Sequence, residues 1–160
     1  MSVDSNKILA RTKSKLPLLR IAYTELQYWC VGLTPEGYHW SQGSTWEQYG
    51  NHRRAAKHLK LYLKYKENAY ARALLAYCYA RLSAWEDASR EYAAVLTAWP
   101  HPSFSLALAE AHLHLGSISQ AMVLVAKVEA EHQSPDSPLP GLEDLKRRVK
   151  EASNKSLKPP

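Results

Sequence analysis

One pattern recurs along this chain every 33 residues, and a recurrence of that length restricts the fold more than any other feature. Residues 69–101 set above 102–134 bring Leu75 onto Leu108, Ala76 onto Ala109, Leu82 onto Leu115 and Trp85 onto Ile118. Ala88 then falls on Ala121, Tyr92 on Val125 and Val95 on Val128. Moved back by one period, the same frame returns Gly43, Trp46, Gly50, Ala55, Leu59 and Tyr62. A unit this short cannot bury an apolar face alone, so the three copies must stack on one another.

Each unit reads as two helices. Leu74, Leu75, Cys78, Tyr79 and Leu82 form a stripe at i, i+3 and i+4. Ser83-Ala84 interrupts it, and Trp85, Ala88, Tyr92, Val95 and Leu96 begin a second stripe that Pro100 and Pro102 end. Small residues at 76 and 109, and again at 88 and 121, let neighbouring helices approach closely. The first unit offers two starts: a capping box at Ser44-Thr45-Trp46-Glu47, and Thr34 followed by Pro35 at the first helical position. Only the second keeps Gly43 and Gly50 in register, so a helix is expected from 35.

In its combination of residues, the chain resembles the tetratricopeptide repeat (TPR) family of helix-turn-helix units. That signature runs small residue, aromatic, glycine, alanine, bulky residue, proline. The second unit supplies Ala76, Tyr79, Ser83, Ala88, Tyr92 and Pro100. The first supplies Gly43, Trp46, Gly50, Ala55 and Leu59, with Glu67 in place of proline; the third supplies Ala109, Gly116, Ala121 and Val125, with His112 at the aromatic position. The resemblance covers residues 36–134 and implies a right-handed superhelix with a concave groove. The fold expected is all-α: three TPR-like repeats (36–68, 69–101, 102–134) between an N-terminal helix and a C-terminal capping helix. Helices are expected near 17–31, 35–48, 52–66, 69–82, 85–98, 102–115, 118–131 and 139–152.

The N-terminal helix carries Leu18, Ile21, Ala22, Leu26 and Trp29 before Gly32 and reads as an amphipathic element with its stripe inward. Ser134 to Pro140 reads as a linker, and Leu142, Leu145 and Val149 as the inner face of the cap. Residues 15–153 are expected to form one TPR domain between flexible tails at 1–14 and 154–160. This layout is similar to that of the type III secretion translocator chaperones. The resemblance implies a cytoplasmic protein holding an extended segment of a secreted partner.

The chain of 160 residues is long enough for a core without disulfides, and no apolar run approaches a membrane span or a signal-peptide core. Two cysteines, Cys30 and Cys78, make no disulfide framework, in keeping with a reducing cytoplasm. The net charge of +6 is uneven: residues 1–67 carry 11 Lys/Arg against 5 Asp/Glu, residues 68–140 carry 4 against 7, and residues 141–160 carry 6 against 3.

No catalytic constellation stands out. The sequence has no nucleophile elbow, phosphate loop or HExxH, and Glu86-Asp87 suits the opening turn of a helix. His112 and His114 fall on different helix faces, as do His52 and His58, so no metal or other cofactor is expected. A non-catalytic protein is the expectation.

Aromatics crowd the first third of the chain: Tyr23, Tyr28, Trp29, Tyr38, Trp40, Trp46 and Tyr49. Trp29 and Trp46 read as packing residues. The TPR resemblance turns a set of other residues into the groove: Trp40, Ser44, Glu47 and Gln48, then Tyr70, Ala73, Tyr77 and Arg81, then Leu106, Glu110, Leu113 and His114. Such a surface suits the apolar side chains of a peptide from another protein. It lacks the inward Lys and Asn of a carboxylate clamp. An alternative surface is the stripe Arg53, Lys57, Lys60 and Lys64, spaced 4, 3 and 4 on one helix face, to which Lys146-Arg147-Arg148 could add. It would dock an acidic protein or nucleic acid as a scaffold. The aromatic N-terminal segment also offers a surface for a homodimer.

Overall fold

The computed structural model describes residues 19–30, 32–131 and 139–156. Among them the chain forms eight helices and no strand, an all-α fold of helical repeats. The helices are α1 (19–30), α2 (Pro35–Gln48), α3 (His52–Tyr65), α4 (Ala69–Arg81), α5 (Trp85–Ala98), α6 (Pro102–His114), α7 (Ile118–Glu131) and α8 (Leu142–Ser156). The expected tail over 1–14, the opening of the first helix, most of the linker and residues 157–160 lie outside the described residues.

The helix boundaries have local causes. Thr34 caps α2 by accepting the Gly37 amide at 3.2 Å, with Pro35 next in line. The rival capping box is therefore interior to a helix, where Ser44 Oγ donates to the Ser41 carbonyl instead. Asn51 caps α3 by accepting from the Arg54 amide, Asn68 caps α4 by accepting from the Ala71 amide, and Pro102 opens α6. Between the two helices of each repeat the chain closes in one way. The amides of Asn51, Ala84 and Ser117 reach back to the carbonyls of Trp46, Tyr79 and His112, each at 2.9 Å. That closure needs a left-handed residue in between, supplied by Gly50 (φ 74°), Ser83 (φ 57°) and Gly116 (φ 74°).

Only Ser83 holds that conformation with a Cβ, and the crowding costs about 1 kcal/mol. Ser83→Gly is therefore expected to raise the urea midpoint by an amount equivalent to about 0.5–1 kcal/mol. A lower midpoint would show that the turn is unstrained.

Two compact units make up the chain, Met1–Cys78 and Tyr79–Pro160, with the boundary inside α4. In the first, Leu59, Ala55, Ala56 and Tyr62 of α3 are buried, with Gly43 of α2 against Leu59. Ala71, Ala73, Leu75, Ala76 and Cys78 of α4 are buried too. In the second, Leu106 and Ala109 of α6 and Ala121, Val125 and Val128 of α7 form one cluster with Leu142, Leu145 and Val149 of α8. All four small residues of the repeat pattern, Ala76, Ala109, Ala88 and Ala121, are fully buried.

Two expectations about the flanks need correction. The last helix begins at Leu142 rather than 139, because Pro140 and the left-handed Gly141 (φ 83°) form a turn first. It runs past 152 to Ser156, since no Gly or Pro follows Gly141 until Pro159. The second correction concerns α1, whose apolar stripe does not face inward. Trp29 is 77% exposed and Leu26 58%, whereas Thr24 is buried. A polar seam attaches α1 to α2: Thr24 Oγ1 meets Ser41 Oγ at 3.1 Å, and Gln42 Nε2 donates to the Ile21 carbonyl at 3.4 Å. Tyr38 donates its hydroxyl to Glu25, and its ring lies 4.8 Å from that of Tyr28.

Candidate functional site

In the first unit the expected groove residues gather around an aromatic edge. The half-buried Trp40 of α2 lies 5.3 Å from the Tyr62 ring and 5.9 Å from that of Tyr70. Tyr70 is 53% exposed and Tyr77 is 41% exposed. Seven residues apart on α4, they share one helix face two turns from each other. Tyr77 is also held edge-on against His52, with centroids 5.6 Å apart. Ala73 between them is buried and can only form a floor. Ser44 spends its hydroxyl on Ser41, Glu47 is half-buried, and Gln48 accepts from Arg20 at 3.4 Å. The face thus offers two exposed phenol rings backed by an indole.

In the second unit Arg81 is exposed, but the residues expected from the third repeat seat the chain's own C-terminal helix. Leu106 is buried in the cluster with Leu142, Leu145 and Val149, and Leu113 packs against the same cluster. Glu110 is bonded by Arg148 at 3.0 Å. The imidazole of His114 stacks flat on Trp85, with centroids 3.9 Å apart, and its Nε2 lies 3.5 Å from Arg148 Nη2. Leu106 and Leu113 are therefore core residues rather than groove residues. The repeat pattern marks an apolar face but does not say that α8 covers it. A cavity of about 330 Å³ remains along this seam, lined by Leu106, Glu110, Asp144 and Arg148 among others.

The two basic clusters prove different. Arg53, Lys57, Lys60 and Lys64 are all exposed, α3 contains no acidic residue, and none of the four is ion-paired among the described residues. Each of Lys146, Arg147 and Arg148 instead has an acid: Glu129, Asp144 and Glu110 respectively. Those three cations are neutralised within their own unit and do not extend an unpaired basic surface.

One cluster is not legible in the sequence. His39 of α2 and His58 of α3 face each other, Nδ1 to Nδ1, at 3.1 Å. One ring must donate and the other accept, so at least one stays neutral. Burial, His39 and Lys57 push His58 down to about 4, against a smaller upward pull from Glu25. Burial and Lys57 also lower His39. Beside them Tyr38 is pushed up to about 12, by burial and by its hydrogen bond to Glu25. The two histidines are 19 residues apart, and no spacing rule within one helix links them. Among the thiols, burial pushes Cys78 up to about 12 and leaves it unreactive, whereas Cys30 is exposed.

Among the described residues, no helix is long and apolar enough to cross a membrane. No protein family matches this chain, and no curated protein matches it either.

Proposed function

We propose that this protein is a non-catalytic, tetratricopeptide-type adaptor that holds a peptide segment of another protein against the aromatic face of its first unit. The observation that carries this reading is the exposure of Tyr70 and Tyr77 on one face of α4, backed by Trp40. Tyrosine suits this work: its ring buries apolar side chains, while its hydroxyl bonds the peptide backbone. A partner held this way would be extended or helical and largely uncharged at its anchoring side chains. The layout of helices further supports a cytoplasmic chaperone for a secreted protein, of the type III translocator kind.

The test is affinity capture from the native lysate, split into nuclease-treated and untreated halves, with wild type beside a Tyr70→Ser/Tyr77→Glu variant. One stoichiometric polypeptide in both halves, lost with the variant, is the expected result. Each aromatic anchor removed is expected to weaken binding by about 2 kcal/mol, roughly thirtyfold. Unchanged recovery with the variant would remove the aromatic face from the function.

A second reading is favoured by the unpaired stripe Arg53, Lys57, Lys60 and Lys64. Four cations with no ion pair among the described residues would dock an acidic protein or nucleic acid, and the contact would weaken steeply with salt. Recovery that collapses with nuclease, or above about 0.5 M salt, would move the function to α3.

A further inference from the structure

Every exposed side chain of α3 is either a cation or a phenol ring. The exposed residues are Arg53, Arg54, Lys57, Lys60, Lys64 and Tyr65, and the helix holds no acid. Arg53, Lys57, Lys60 and Lys64 share about 60° of its circumference, at successive heights about 6, 4.5 and 6 Å apart. None of these cations, Arg54 included, is ion-paired among the described residues. The Arg54 guanidinium instead lies 4.6 Å from the centre of the Trp46 ring. Tyr65, next to Lys64, is 56% exposed, and its ring is nearly parallel to that of His39, at 23°, with centroids 6.2 Å apart. No aliphatic side chain is exposed on this helix: Ala55, Ala56 and Leu59 are buried, and Leu61 and Leu63 are half-buried.

On the reading that this stripe docks an acidic partner, we infer that the partner is single-stranded nucleic acid, bound along its phosphates without regard to sequence. An acidic protein is the weaker fit, because protein interfaces are anchored by aromatic and apolar side chains packed at their centre. The centre of this stripe, Lys57 and Lys60, offers only long, flexible ammonium groups. A phosphate backbone needs no such anchor, since the release of its counterions supplies the driving force. A lipid surface fits less well too, because the apolar side of α3 lies in the core and is not free to enter a bilayer. Spacing favours one strand over a duplex. The cations stand about 5.5 Å apart on average, wider than the roughly 3.4 Å by which phosphates advance along one strand of a duplex. That spacing suits a strand drawn out of its helix. Such a strand also has free base faces, whereas a duplex keeps them stacked. Tyr65, at the C-terminal end of the stripe and backed by the His39 ring, provides a surface on which one base can stack.

Fluorescence anisotropy of the full chain with a labelled oligo-deoxythymidylate of about 20 nucleotides tests this. A dissociation constant of order 10 µM is expected at about 0.1 M salt, and contacts from the four stripe cations give log K a slope of about −3 against log salt. Lys57→Gln/Lys60→Gln should bring that slope to about −1.5. Tyr65→Ser should weaken binding about tenfold and leave the slope unchanged, a combination that loss of charge does not produce. All three residues are exposed, so helical circular dichroism should not change in either variant. Should Tyr65→Ser nevertheless lose helix, the comparison with a duplex of the same length decides alone, and the duplex should bind more weakly. The Tyr70→Ser/Tyr77→Glu variant should bind as wild type does, which separates this surface from the peptide-binding face. A duplex bound as tightly as the single strand would overturn the single-strand assignment. Binding of polyglutamate in place of the oligonucleotide, lost with the lysine variant, would overturn nucleic acid as the partner and leave the stripe docking an acidic protein. Binding of neither polymer would remove the stripe from the function altogether.

Discussion

Gly43→Val is expected to lower the stability of the protein by about 3 kcal/mol or more, read as a fall in the urea midpoint. A Cβ at this position would lie 2.9 Å from Leu59 Cγ, 3.0 Å from its Cδ2 and 3.2 Å from its backbone nitrogen. Leu59 is fully buried, so its side chain has little room to turn away, and its backbone belongs to α3 and moves only with the helix. Ala76 and Ala109 hold the equivalent places in the later repeats and are fully buried with a methyl group. The α2–α3 pair is therefore closer at this point than alanine permits. Gly43→Ala is the sharper test, because alanine gains about 1 kcal/mol of helix propensity over glycine. A net loss of about 1 kcal/mol is expected, from overpacking of the order of 2 kcal/mol. A Gly43→Ala protein more stable than wild type would show that the helices separate freely there.

Acid is expected to weaken the same helix pair. His58 is held neutral in the folded state, at about 4 against its ordinary 6.5, and His39 is lowered in the same direction. The unfolded chain therefore binds protons more readily than the folded one, and acid favours unfolding. The contribution is fully present above about pH 6.5, declines as the pH falls toward about 4, and for His58 is level below that. Glu25 opposes the shift, while Lys57 and Arg54 reinforce it. Because His58 is only about half-buried, solvent screening reduces the expected loss to about 1–2 kcal/mol. Urea midpoints at pH 7.5 and pH 4.5 should differ by that amount in wild type, and by clearly less in His58→Gln. His112 is lowered by burial and contributes the remaining slope in the variant, and Glu67, held down by Arg72, adds a loss only below about 4.5. An identical pH dependence in wild type and His58→Gln would remove the pair as its origin.

The candidate faces were only partly legible in sequence. Tyr70 and Tyr77 could be placed on one face of a helix because seven residues make nearly two turns, and both are exposed. Leu106 and Leu113 had the same apolar, helical credentials as any groove residue. What separates them from Tyr77 is the arrival of Leu142, Leu145 and Val149 from a helix some thirty residues away. The same long-range packing decides the charges. The stripe on α3 and the run Lys146-Arg147-Arg148 look alike as text, yet Glu129 and Glu110 reach the second, and among the described residues no acid is ion-paired with the first.

The sequence by itself determined where the helices of the three repeats begin and turn. Pro35 and Pro102 restrict the backbone dihedral at the position they occupy, and Gly50 and Gly116 admit the left-handed closure whatever surrounds them. The 33-residue period likewise names Ala76, Ala88, Ala109 and Ala121 as close-packing points, and all four are buried. Only the tertiary structure decided which way α1 faces. Its stripe requires an apolar neighbour, but α2 meets it with Ser41, Gln42 and Tyr38, and those polar partners are satisfied by Thr24, Ile21 and Glu25 instead. Periodicity records that a face is apolar; which surface covers it depends on what the rest of the fold leaves uncovered.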